Sequence, residues 1–179
     1  MVNLDYNYVK MLSERDSDIS QHIMLLYIIP VLMSAQTIIE LGAGQSSFAL
    51  TAAASKTGGI VYSFDLTPES ICRLFPEGEG VLEGHPKFRF TAENDMFAVS
   101  KWSREVDFLL IDTSHTYEHT KFELEQWGNW VRPGGIIIMH DTSIHWIDCR
   151  RAMTEYLEKT GYPAVHFPNQ NGFSIIYKS

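Results

Sequence analysis

Two cysteines in 179 residues, Cys72 and Cys149, are too few and too far apart for a disulfide framework. No Cys-x-x-Cys pair points to a zinc knuckle, and the expected compartment is the reducing cytoplasm. Positive charge is also short: 14 Lys and Arg stand against 22 Asp and Glu, a formal net charge of −8. The electrostatic footprint of a nucleic-acid or anionic-membrane binder is therefore missing, and a small neutral or cationic partner fits better. The longest apolar run, Ile23 to Met33, falls below the ~18 to 20 residues that span a bilayer and contains Pro30, so it reads as a buried helix. Met1 to Tyr6 has no basic region followed by an apolar one, and no signal peptide is expected. There is no internal repeat and no low-complexity tract. What remains is 45% apolar over a length that suits one domain with a substantial core.

The chain is organised around Thr37-Ile38-Ile39-Glu40-Leu41-Gly42-Ala43-Gly44-Gln45-Ser46-Ser47-Phe48. A β-branched run ending in an acid, two glycines one residue apart and an alanine-rich segment read as strand, tight turn and helix start. Gly42 and Gly44 have no Cβ, so a nucleotide-like ligand can lie on the main chain, while Ser46 or Ser47 can cap the helix. A dinucleotide fingerprint wants a third glycine where this chain has Ser47, so a pyrophosphate site is less favoured.

Residues 1–36 read as an N-terminal helical cover, with a helix from about Asp18 or Ser20 to Ser34 kinked at Pro30. Gly58-Gly59 ends the helix after the glycine turn, and Ile60 to Asp65 is a second buried strand. Asp65 is placed to accept hydrogen bonds from the two hydroxyls of a ribose, or else to cap a helix beginning at Thr67-Pro68. Pro76 to Pro86 is a loop, and Phe88 to Thr91 a third strand. Asp95 is expected to cap a helix running to Ser103. Val106 to Asp112 is a continuous apolar strand closed by a carboxylate, of the kind buried in parallel sheets. A helix carrying Phe122, Trp127 and Trp130 follows, and Pro133-Gly134-Gly135 launches a fifth strand, Ile136 to Asp141. A helix from Ile144 to Thr160 precedes a hairpin of Ala164–Phe167 and Phe173–Tyr177. The fold class is α/β: a Rossmann-like, doubly wound, mostly parallel seven-stranded sheet over 37–179 with a C-terminal antiparallel hairpin. Ligands bind such sheets beyond the carboxyl ends of the strands, where Gly42, Gly44, Asp65, Asp112, His140 and Asp141 converge.

Glu40-Leu41-Gly42-Ala43-Gly44 resembles the first motif of the class I S-adenosylmethionine-dependent methyltransferases. Asp112 to Glu118, Val131 to Gly135 and His140-Asp141-Thr142 resemble the small-molecule O-methyltransferase-like branch, which includes the cephalosporin-hydroxylase-like and macrolide-sugar enzymes and, more distantly, the catechol and caffeoyl-coenzyme A enzymes. The resemblance implies S-adenosyl-L-methionine as cofactor. Glu40 would face its methionine end, Gly42 and Gly44 its methionine arm, Asp65 its ribose and Glu93 or Asn94 its adenine, with Asp112 at the same rim. It also implies a divalent cation, magnesium or manganese, on Asp112, His140 and Asp141, with His140 standing where a carboxylate is usual. His115 falls where catechol-type enzymes place a lysine base, and a histidine can take a proton near neutral pH without large tuning. Otherwise His115 is a loop residue bonded to a carbonyl or to Glu118.

The implied activity is methyl transfer to a small-molecule hydroxyl, with Asp112 and His115 as the catalytic pair. Two other classes stay open: a non-catalytic cofactor-binding or assembly module, suggested by the short chain, and a nicotinamide-dependent Rossmann oxidoreductase, against which Ser47 counts. A homo-oligomer could complete the acceptor pocket, with Tyr6, Tyr8, Trp102 and Trp146 as candidate interface residues.

Overall fold

The computed structural model describes residues 4–67 and 81–179. Its strands are β1 (Thr37–Leu41), β2 (Ile60–Asp65), β3 (Phe88–Ala92), β4 (Val106–Ile111), β5 (Val131–His140), β6 (Ala164–Phe167) and β7 (Phe173–Tyr177). They form one sheet in the order β3-β2-β1-β4-β5-β7-β6. The first five run parallel, and β7 lies antiparallel between β5 and β6. This is the expected Rossmann-like sheet with its closing hairpin. Strand order reverses between β1 and β4, so the loops after those two strands diverge and leave a crevice at the carboxyl edge.

Period-two alternation sorts the core into two layers. Ile38 of β1 with Phe108 and Leu110 of β4 face α1 (Tyr6–Ser13), α2 (Ile23–Leu32) and α3 (Gln45–Thr57), where Leu12, Leu26 and Phe48 are buried. Ile39 and Leu41 with Leu109 and Ile111 face the other side, against Leu124 and Trp127 of α5 (Tyr117–Trp130) and Ala152 and Met153 of α6 (Ile147–Thr160). Each fully buried Leu, Ile or Phe contributes about 1.5 to 3 kcal/mol, so both faces of the sheet must be covered for it to persist. That requirement explains the N-terminal cover: α1 buries Val9 and Leu12 one turn apart, and Asp5 caps it by accepting from the backbone N–H groups of Asn7 and Tyr8.

Several boundaries differ from the sequence expectation. The helix expected from Asp18 or Ser20 is a 3₁₀ turn at Ser20–His22 followed by α2, which contains Pro30. α5 gives way to β5 at Val131 without a loop, and β5 runs through Pro133-Gly134-Gly135 with a register shift against β4 between Val106 and Phe108. The glycines bend the strand rather than start it. Asn94, not Asp95, caps α4 (Asp95–Ala98), by accepting from the Met96 N–H, and a 3₁₀ turn follows at Val99–Lys101. The helix expected from Pro68, Cys72 and residues 76–80 of the expected loop lie outside the described residues. Trp102 packs with Tyr62, Phe64 and Trp127, and Trp146 packs on His115. No helix among the described residues is long and apolar enough to cross a membrane.

Candidate active site

The glycine turn is held from beneath by the acid that precedes it. Glu40 is fully buried; its Oε1 accepts from Ser46 Oγ at 2.6 Å, and its Oε2 accepts from Ser47 Oγ at 2.7 Å and Ser63 Oγ at 2.5 Å. Ser47 Oγ in turn accepts from the Gly44 N–H at 3.1 Å. Burial raises the Glu40 carboxyl to about 7 against the three hydroxyl bonds that favour its charged form. Glu40 turns inward and fixes the β1–α3 turn through three hydroxyl groups. Ser46 and Ser47 sit in the first turn of α3 with Gly44 as its N-cap, where both brace Glu40 and Ser47 also makes the capping-box contact to the Gly44 N–H.

Gly42 has φ +87, and a Cβ there would lie 1.9 Å from the Asp112 carbonyl oxygen. The turn after β1 and the loop after β4 touch at this point, which only glycine permits. Gly42→Ala should cost roughly 2 to 5 kcal/mol, combining the left-handed strain with the backbone clash, and urea denaturation would register it. A cleft of about 400 Å³ opens beside this contact, lined by Gly42, Ala43, Asp65, Glu93, Asn94 and Asp112 among others. Gly44, next in the chain after the lining residue Ala43, is the N-cap of α3. Asp65 Oδ2 accepts from the Ala43 N–H at 3.0 Å and Oδ1 from the Leu66 N–H at 2.6 Å, which aims the carboxylate along the turn. Glu93 pairs with Lys101, and the Asn94 side chain is engaged as the α4 cap.

At the other end of the rim four titratable groups interlock. His115 Nε2 lies 2.5 Å from Asp141 Oδ2, and its ring packs 4.2 Å, centroid to centroid, from Trp146. His140 Nδ1 lies 3.3 Å from Asp112 Oδ1 and 3.4 Å from Asp141 Oδ2. His140 Nε2 lies 3.1 Å from the Asp18 carbonyl oxygen, so both ring nitrogens face pure acceptors and both must donate. Burial by itself would lower the His140 pKa; the hydrogen bonds to Asp112 and Asp141 reverse this and hold it at about 11. Burial likewise opposes ionisation of Asp141, but donors from His115 and His140 pull it down to about 2. Asp141 has φ +53, in the left-handed region that Asp adopts more readily than most non-glycine residues.

Residues 39–142, more than half of the chain, match the family described as a methyltransferase domain. This chain belongs to that family. Among solved structures it resembles a caffeoyl-CoA O-methyltransferase candidate from Staphylococcus aureus, with TM-score 0.72 and 12% identity over 97% of this chain and 89% of that one. An S-adenosylhomocysteine-bound methyltransferase from Podospora anserina gives 0.68 and 12%, over 100% of this chain and 89% of its own. An O-methyltransferase from Bacillus cereus in complex with S-adenosylhomocysteine gives 0.64 and 17%, over 96% and 87%. At these identities the likeness is one of fold.

At the rim expected to hold a divalent cation, Asp112, His115 and Asp141 each bring a ligand atom within 4.8 Å of the others. His140 stands between Asp112 and Asp141 through Nδ1, while Nε2 faces the Asp18 carbonyl. Its ring places a positive charge between the two carboxylates, where a metal would otherwise relieve their repulsion. Asp141 Oδ1 is buried with no hydrogen-bond partner among the described residues, and its Oδ2 takes the contacts from His115 and His140. Sequence reasoning missed this exchange of roles, and it missed the serine clasp on Glu40 and the contact of Trp146 with His115. The spacing of Ser46, Ser47 and Ser63 carries no motif; only strand pairing of Glu40 with Ser63 brings the last of them in.

Proposed function

We propose that the chain transfers a methyl group from S-adenosylmethionine to a hydroxyl oxygen of a small-molecule acceptor, with His115 as general base. The observation that carries this reading is the His115–Asp141 pair, which follows directly on cleft-lining Asp112, Thr113 and Ser114. S-adenosylmethionine supplies an electrophilic methyl on a sulfonium sulfur. The cleft suits it because Gly42, Ala43 and Asp65 line it together, and Asp65 would accept from the ribose hydroxyls. In-line displacement needs alignment more than covalent help, and the rigid contact between the β1 and β4 loops provides it.

Asp141 is a pure acceptor, so Nε2 of His115 carries the hydrogen toward it and Nδ1 is left to take the acceptor's proton. The imidazolium that results is stabilised by the same carboxylate. Asp112, steadied by His140, orients the acceptor hydroxyl. Trp146, with the exposed Ile144 and Ile147 on the same segment, gives an apolar wall for the acceptor's body.

Calorimetric titration with S-adenosylhomocysteine and, separately, with NAD tests the cofactor. The homocysteine compound should bind and NAD should not. Asp65→Ala should weaken binding by roughly 1.5 to 3 kcal/mol, the usual cost of losing hydrogen bonds to a charged group. Unchanged affinity in that variant removes Asp65 from the ribose.

A further inference from the structure

A second group of titratable side chains lies behind the nucleoside end of the cleft, apart from the rim machinery. His119 and Glu123 stand at i and i+4 on α5, and Asp95, the first residue of α4, meets them from the segment after β3. His119 Nε2 lies 2.9 Å from Asp95 Oδ1 and 3.7 Å from Glu123 Oε1. One donor atom from each of the three can be chosen so that all lie within 4.8 Å of one another.

Both carboxylates are nearly or wholly out of water, with side-chain exposures of 7% for Asp95 and 0% for Glu123. Thr113 Oγ1 donates to Glu123 Oε1 at 2.5 Å, and His119 serves Asp95 Oδ1. Asp95 Oδ2 and Glu123 Oε2 are buried and have no hydrogen-bond partner among the described residues. Burial first, and the charge of Asp95 second, raise the Glu123 carboxyl well above its usual range, so without a cation this acid keeps its proton. Two buried acids beside one imidazole are accommodated either by that proton or by a cation that replaces it, and the three donor atoms already lie close enough to share one.

We infer that Asp95, His119 and Glu123 bind a zinc-type divalent cation that ties α4 to α5 beneath the nucleoside end of the cleft. The donor set, one imidazole and two carboxylates, leaves a fourth tetrahedral position for water. Bonds of about 2.0 to 2.1 Å would set neighbouring tetrahedral ligands roughly 3.3 Å apart, a spacing bracketed by the observed 2.9 and 3.7 Å. Asp95 and His119 both line the cleft, which gives the ion a path in. His119 can present a lone pair once a cation replaces the hydrogen shared with Asp95.

The test uses the full chain, stripped with a chelator and titrated with zinc chloride by calorimetry and thermal shift. One equivalent should bind and raise the melting temperature. Glu123→Gln and His119→Ala should each lower zinc affinity by at least the roughly 10- to 100-fold that loss of even an outer-shell partner costs a metal site. His115→Ala should bind zinc as tightly as the wild type. Absence of saturable binding overturns the assignment, as does binding that survives in both Glu123→Gln and His119→Ala or disappears in His115→Ala. Should Glu123→Gln fail to fold, His119→Ala at the cleft wall and anomalous scattering at the zinc edge from wild-type crystals decide the matter. None of these readouts depends on methyl transfer.

Discussion

Replacing His115 by alanine should lower methyl-transfer turnover by about 10²- to 10⁴-fold, the span that a positioned general base contributes, while S-adenosylhomocysteine affinity stays nearly intact. The side chain touches the rim but not the walls around Asp65, so binding and proton removal should separate cleanly. The pH profile gives a second readout. The hydrogen bond to Asp141 raises the His115 pKa above 6.5, despite partial burial that works the other way. Only the neutral ring can accept a proton, so the wild-type rate should be low in acid and rise through one ionisation displaced above the ordinary histidine value. Asp141→Asn removes the carboxylate that stabilises the imidazolium, so the midpoint should move to lower pH even where the amplitude falls. Full turnover in His115→Ala, or an unmoved midpoint in Asp141→Asn, would show that another group activates the acceptor.

How much of this rim could be read from residues alone depends on the range of the interactions involved. Acid-ended strands and the Gly42-Ala43-Gly44 turn are local signals, since apolar runs, glycines and chain order fix which strand ends share an edge. The sheet and the convergence of Asp65, Asp112 and Asp141 were legible for that reason. Side-chain direction was not. Whether Glu40 faces the cleft or the core depends on Ser63, which is 23 residues away and reaches it only through the parallel pairing of β1 with β2. How His140 is oriented depends on the Asp18 carbonyl, which is 122 residues away and holds Nε2. His119 and Glu123 did carry a readable signal, an i, i+4 pair with one acid on the buried face of a helix. Asp95 joins them only through the packing of α4 on α5.

His140 sets the largest stability effect expected at the rim. Its ring is the cationic member of a buried cluster, and deleting one partner of a buried ion pair typically costs about 3 to 5 kcal/mol because the remaining charge is stranded. His140→Ala should lose about that much in urea denaturation near pH 6. The pH dependence has a definite sign. Folding raises His140 from 6.5 to about 11, so its stabilisation is complete below pH 6.5 and drains away as pH climbs toward about 11. Folding lowers Asp141 from 3.8 to about 2, so its share is complete above pH 3.8 and is lost as pH falls through about 2. The two contributions overlap fully between those unfolded values, and the variant should be flatter than the wild type on both sides of that window. A second substitution separates charge compensation from mere packing. His140→Asp restores an all-oxygen set with Asp112 and Asp141, the kind of site that suits magnesium, so magnesium chloride should raise its melting temperature. Wild-type stability and turnover should not respond to magnesium, because the imidazolium already occupies the charge position. Magnesium-dependent turnover in the wild type, or a His140→Asp variant indifferent to the ion, would mean that His140 does not stand in for a cation.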